Sequence, residues 1–292
     1  MALRMSVKSS VAVAFLASFL WTGCVRTLAV STVGDIVDNG FGALTEESDL
    51  DFAQQALPGN IKLLEVMLRS DPENERLLRL CSLGYSSYAL GFLEDTDQAR
   101  AREFYRRGRD YGLRLLRRNE ELSKGLDGTL DDLKTALRKG GPSDVPGAFW
   151  AAFGWGGYIE LSLDDMNAIG DLPRAEELMR FVLAQDSAYF YGGAAVFLGT
   201  LYGSRPRMLG GNPELSKRMF ECALKINGGK FLMTNVYYAR SYAVQTQNEA
   251  LFQELLTLTE NASLDILPEF RLANAIAQRK ARLLLSKKGD LF

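Results

Sequence analysis

Histidine does not occur anywhere in the 292 residues. Its absence rules out Ser-His-Asp and Cys-His nucleophilic catalysis, histidine-held zinc or iron, and imidazole proton shuttles. No Gly-Lys-Ser/Thr phosphate loop and no G-x-G-x-x-G turn is present, so the usual nucleotide cradles are missing as well. Carboxylate pairs and lysines are what remain for bond chemistry. A basic surplus is also lacking: Lys and Arg total 34 against 36 Asp and Glu. That balance does not suit a nucleic-acid partner, which calls for a strongly basic face. Cysteine is scarce, 3 in all. Cys81 and Cys222 sit in apolar helical patterns as small hydrophobes, and spacing alone does not decide whether they pair.

Long apolar runs are missing after residue 24. Before it, "MALRMSVKSS" carries two positive charges and "VAVAFLASFLW" is too short to span a bilayer. "WTGC" follows. A small residue ahead of a cysteine, just past such an apolar stretch, resembles a bacterial lipobox, with Trp21 where an aliphatic residue is usual. The expectation is a signal peptide over 1–23, acylation of Cys24, and a membrane-tethered mature chain. Val25 rather than an aspartate after the cysteine favours the periplasmic face of the outer membrane, with the inner membrane as the alternative. Residues 24–48 read as a tether, and 49–292 as one domain.

From Leu50 onward the periodicity is helical. Leu215, Met219, Cys222 and Ile226 fall on one helical face, with Asn212 as cap, Pro213 in the first turn, and Gly228 and Gly229 at the end. Asp171 and Pro173 open a helix over 172–185, and Asp71-Pro72 closes one over 59–69. No alternating β-branched run stands out, so the fold class is all-α. Internal repeats sharpen this. Leu198-Gly199-x-x-Tyr202 with Ser216-x-x-x-Phe220-x-x-Ala223 matches the two helices of a tetratricopeptide unit. Leu83-Gly84 with Ala101-x-x-x-Tyr105-x-x-Gly108, and Trp150-x-x-Phe153-Gly154 with Ala175-x-x-x-Met179, follow the same plan. Tyr238-Ala239-x-x-Tyr242 is a weaker fourth. The expected architecture is a helical-hairpin, tetratricopeptide-like superhelix with degenerate repeats and enlarged connections.

Four segments, "LCSLGYSSYALGFLED", "RAREFYRRGRDYGLRLL", "FWAAFGWGGYIELS" and "FLGTLYGSRPRMLGGNPELSKRMFECAL", make the chain resemble the T-component family of tetratricopeptide-repeat-associated TRAP transporters. The long Arg-Pro-Arg-Met-Leu-Gly-Gly connection is the most specific of these features. The glycine-rich "FWAAFGWGGYIELS" departs from the alanine-rich helix expected there. The resemblance implies a periplasmic lipoprotein with a cavity or pore, association with the substrate-binding protein of a TRAP-type uptake system, and self-association, a trimer. A hydrophobic or organic-acid ligand is implied. No cofactor or metal is expected, and the missing catalytic groups, with the repeats and the lipobox, point to a role without catalysis.

Several residues are candidates on their own chemistry. In 149–158, Trp150 and Phe153 share a face that packing explains, whereas Trp155 lies off it and Tyr158 accompanies it; all four are lining candidates. Tyr189, Phe190 and Tyr191 are consecutive and cannot all face one core, so Tyr189 and Tyr191 join them, with Tyr202. Eight arginines lie between Arg100 and Arg118. A solvated face with i,i+4 pairs accounts for most, while Arg106 and Arg109 are candidates for an anion or an acidic partner. Arg205 and Arg207 flank Pro206 in the long connection, where guanidinium groups suit carboxylates. Glu160 and Asp164 read as surface charge rather than an acid–base pair. The function these features point to is a lipid-anchored accessory component of a TRAP-type system that docks the binding protein and shelters or passes a ligand. A generic tetratricopeptide scaffold for envelope assembly is the alternative, and a carboxylate hydrolase a remote third.

Overall fold

A computed structural model describes residues 40–292. The chain divides into two compact units, Met1–Leu44 and Thr45–Phe292, and every element named below belongs to the second. The signal-peptide, lipobox and Cys24 expectations lie outside the described residues. Among the described residues there are fourteen helices and no strand, as the all-α reading expects.

Helix α1 runs Leu50–Ser70, starting well before the 59–69 stretch that the sequence marks. The Asp49 carboxylate accepts from the N–H groups of Asp51 and Phe52. Ala53, Leu57, Ile61, Leu64 and Leu68 then form one buried stripe that continues straight past Pro58. That apolar face outweighs the single backbone hydrogen bond a mid-helix proline removes. Helix α2 (Glu75–Tyr88) runs on into a π-helical stretch, Ala89–Leu93. Next come α3 (Gln98–Leu116), the short α4 (Glu120–Asp127) and α5 (Leu130–Leu137), and α6 (Val145–Glu160).

Helices α3 and α6 make the most extensive helix–helix contact, antiparallel and unusually close. A Cβ on Gly112 would stand 2.4 Å from the Ala151 nitrogen, and one on Gly154 would stand 2.5 Å from that of Arg109. The same register brings Gly147 onto Leu116 and Gly157 onto the Tyr105 ring. Here is the reason for the glycine-rich α6. Each glycine costs about 1 kcal/mol of helix propensity, and the backbone approach it permits recovers that through packing.

The short α7 (Met166–Gly170) precedes α8 (Leu172–Gln185). Helix α8 has the expected bounds, but Asp171 ends α7 in helical geometry and its carboxylate caps nothing. Helix α9 (Tyr189–Gly203) pairs with α10 (Pro213–Asn227) in a second close antiparallel contact. There Gly199 lies against the Phe220 ring, and the Ser216 hydroxyl donates to the Gly199 carbonyl at 2.7 Å. Asn212 caps α10 through the Leu215 N–H, and Gly228 ends it in left-handed geometry at φ 61°. Helix α11 (Met233–Tyr237) passes into a second π-helical stretch, Tyr238–Ala243. After α12 (Glu249–Asn261) comes α13 (Arg271–Ser286), which packs on α12 and also returns to α1. Ile276 fills the space beside Gly91, and Arg279 donates to the Gly91 carbonyl while lying over the Phe92 ring. The last helical hairpin of the unit thus closes onto its first. A final turn, α14 (Lys288–Leu291), follows.

Candidate functional site

Both π-helical stretches border one polar cluster. Glu94 caps the first, and Arg240 lies within the second. π-Helical turns are rare and concentrate at functional sites. Arg240 donates to Glu160 at the end of α6 at 2.7 Å and lies 3.5 Å from the Glu94 carboxylate. Its guanidinium also rests over the Tyr237 ring, 4.7 Å from the centroid. Glu94 is 8% exposed and bonds in turn to Lys280 of α13 at 3.0 Å, and Lys280 reaches Asp95 at 2.7 Å. Burial opposes the Arg240 charge, but Glu160 and Glu94 more than compensate, so the guanidinium is held protonated more firmly than usual. Burial pushes the Tyr105 and Tyr237 phenols up, Tyr105 well above its ordinary value. Both stay neutral and keep a hydroxyl proton to donate.

Arg240 thus touches α6, α11 and the end of the first π-helical stretch, yet 23% of its side chain remains accessible. Glu160 remains 50% accessible, and Tyr237 is half-buried. The cluster is thus a half-buried polar network at the border of the interior. Arg240, Glu94, Tyr105, Tyr237 and Lys280 are not among the sequence candidates. The signal they give is a charge inside an otherwise apolar run, as in "YYARSYA" and "YALGFLED".

An aromatic wall forms a second feature. At the start of α9, Phe190, Tyr191 and Gly192 take left-handed backbone angles, with φ of 46°, 58° and 79°. Left-handed geometry costs a non-glycine residue about 1–2 kcal/mol. It also turns all three consecutive aromatics toward one cluster, which regular helical spacing would forbid. Phe190 packs edge-on against Trp150, with centroids 4.8 Å apart, and Tyr191 stacks on Phe231 at 5.2 Å. Tyr189 accepts from the Trp150 indole N–H at 3.2 Å. Asn227 holds the Tyr191 carbonyl at 3.2 Å, and the Tyr191 hydroxyl donates to Glu269.

The remaining sequence candidates scatter around these features. Trp150 is fully buried in the cluster, and Phe153 is half-buried between Phe149 and Tyr105. Trp155 is 7% exposed with no acceptor for its indole N–H, beneath the Arg109 guanidinium that also covers Tyr158. Tyr202, 8% exposed, donates to Glu176 at 2.8 Å and accepts from Arg180. Arg106 is bound to Glu103 and Asp110, and Arg109 to Asp110. Arg207 pairs with Glu214. Arg205 is half-buried beside Glu176 and Tyr202, and burial lowers its pKa. The connection it occupies is tightly built: the Asn212 N–H reaches the Tyr202 carbonyl, and a Cβ on Gly211 would collide with the Arg205 carbonyl. At its tip Met208 is 90% exposed. Glu160 and Asp164 do not share a helix, because α6 ends at Glu160. Cys81 and Cys222 are both free. Among the described residues no group of acidic, histidine or cysteine side chains is arranged for a metal, and no helix is long and apolar enough to cross a membrane.

Packed helical hairpins, with no strand among the described residues, place the chain among all-α proteins. Residues 46–292 match the TRAP transporter T-component family, and the chain belongs to that family, which associates it with a TRAP transporter. It is 26% identical over 269 residues to an uncharacterized protein of Treponema pallidum (strain Nichols), an alignment covering 85% of this chain and 82% of that one.

Proposed function

We propose that this protein is a lipid-anchored, periplasmic, non-catalytic accessory component of a TRAP-type uptake system. It docks the system's substrate-binding protein and shelters or passes a small hydrophobic or organic-acid ligand through its interior. The family match over 46–292 carries this reading. Phe153, Trp155 and Tyr158 are proposed to line the ligand's path, and Arg205 and the Met208 tip to contact the binding protein. Cys24 carries the anchor, and the degenerate tetratricopeptide-like hairpins serve as the scaffold.

The test is co-purification. Tagged full-length protein extracted in mild detergent is expected to retain the TRAP substrate-binding protein encoded nearby, and Arg205→Glu to weaken that association about tenfold. Failure to bind any such protein by pull-down and by titration with the purified partner would refute the docking role. Cys24→Ser is expected to release the protein from the membrane fraction, and its continued retention would rule out the anchor.

A further inference from the structure

We infer that the open face of α1 pairs two copies of this chain, α1 against α1 in antiparallel register about a two-fold axis at Gly59. The pairing is independent of the ligand and docking roles proposed above, and it differs from the three-fold ring that the family resemblance implies.

Helix α1 has more apolar surface than its own protomer covers. Ala53, Leu57, Ile61, Leu64 and Leu68 go into the core. A second stripe, Phe52, Ala56, Gly59, Leu63 and Val66, recurs at alternating steps of four and three residues, the spacing of a helix–helix seam. Phe52 is 60% exposed, Leu63 56% and Val66 59%, and nothing lies within 4 Å of where a Gly59 Cβ would stand. These three are among only seven large apolar side chains left exposed in the described residues. A single one needs no explanation, but three aligned over about four turns of one helix mark a contact surface.

The stripe complements itself only when reversed. With Gly59 on the axis, Phe52 meets the partner's Val66, and the small Ala56 meets the partner's Leu63. Charge gives the same answer. Glu46, Glu47, Asp49 and Asp51 crowd the N-terminal end of α1, whereas Lys62 and Arg69 border its second half. Glu65, the acid between them, turns inward to accept from Tyr85 at 2.7 Å and Tyr111 at 2.9 Å, and it holds Lys62. Arg69 is left as the exposed cation at that end. Antiparallel pairing sets it beside the partner's Asp51, while parallel pairing would set acid on acid. The acidic end also opposes an anionic membrane as the cover for this face. A patch complementary to itself is what a two-fold contact requires.

Sedimentation velocity of the detergent-solubilised full chain should give the protein mass of two copies, and Leu63→Glu should weaken association more than tenfold. Arg69→Glu should weaken it about threefold, and Asp51→Lys added to it should restore the parent value. In membranes, with Cys222→Ser as background, mild oxidation should cross-link Gly59→Cys into a dimer. Val66→Cys, whose copies stand about 21 Å apart across the axis, and Leu258→Cys, exposed on α12, should not cross-link. All the α1 positions changed are exposed, so circular dichroism should match the parent. A one-copy or three-copy mass, indifference to Leu63→Glu, no restoration by Asp51→Lys, or cross-linking of Val66→Cys as ready as that of Gly59→Cys would each overturn the pairing. So would vesicle flotation of the Cys24→Ser chain that Leu63→Glu abolishes, because lipid would then be the occupant.

Discussion

At the scale of single residues, burial sets reactivity. Cys81 is fully buried and its thiol is pushed up to about 12 by loss of hydration. Cys222 is half-buried on α10. Iodoacetamide at pH 8 should therefore label Cys222 and leave Cys81 unmodified until the protein is unfolded, which peptide mass mapping reads directly. Glu103 shows the opposite kind of shift: hydrogen bonds from Arg106, then from Arg107, hold its carboxyl down to about 2. A depressed value stabilises the fold above the ordinary 4.5, and the benefit is lost as pH falls toward about 2. Glu103→Gln should lower the melting temperature at pH 7, with the difference from the parent vanishing by about pH 2. Because Glu103 is 41% exposed, solvent screening keeps the loss below about 1 kcal/mol. A difference that grew on acidification would contradict the assignment.

At the scale of elements, close packing of helix pairs decides what each position tolerates. The sequence places the apolar face of α10 on Leu215, Met219, Cys222 and Ile226. The structure centres burial one residue further on, at Ser216, Phe220, Ala223 and Asn227, with the apolar set half-buried beside it. A hydrophobic stripe alone could not reveal this, because small and polar residues sit at the line of closest approach to α9, where Ser216 donates to the Gly199 carbonyl and Asn227 to that of Tyr191. The same physics separates two glycines. Gly112→Ala would force a methyl against the α6 backbone and should destabilise by about 1–3 kcal/mol despite alanine's better propensity. Gly59→Ala, in α1 with nothing within 4 Å, should stabilise by up to about 1 kcal/mol. Urea titration of the two variants gives opposite shifts if close approach governs.

At the scale of the folded unit, the return of α13 to the first helices is the controlling feature. Lys280, 6% exposed, bonds Glu94 and Asp95 across a sequence separation of more than 180 residues. Removing one partner of a buried pair strands the others, so Lys280→Met should cost about 3 kcal/mol. Hydrogen exchange should then quicken along α13 before it does in α3 and α6. Uniform loss of protection across the unit would mean that the closure is held elsewhere.

The sequence by itself determined the all-α class, the ends of α8, the cap and ends of α10, the helix pairings, and the family, because these follow from local periodicity, turn chemistry and short motifs. Only the tertiary structure decided which charges meet. Glu94, Glu160, Arg240 and Lys280 come from separate segments, and nothing in their neighbours' spacing records that they converge. It also decided the left-handed turn at Phe190 and Tyr191, since that geometry is unfavourable locally and persists through aromatic contacts made by distant parts of the chain.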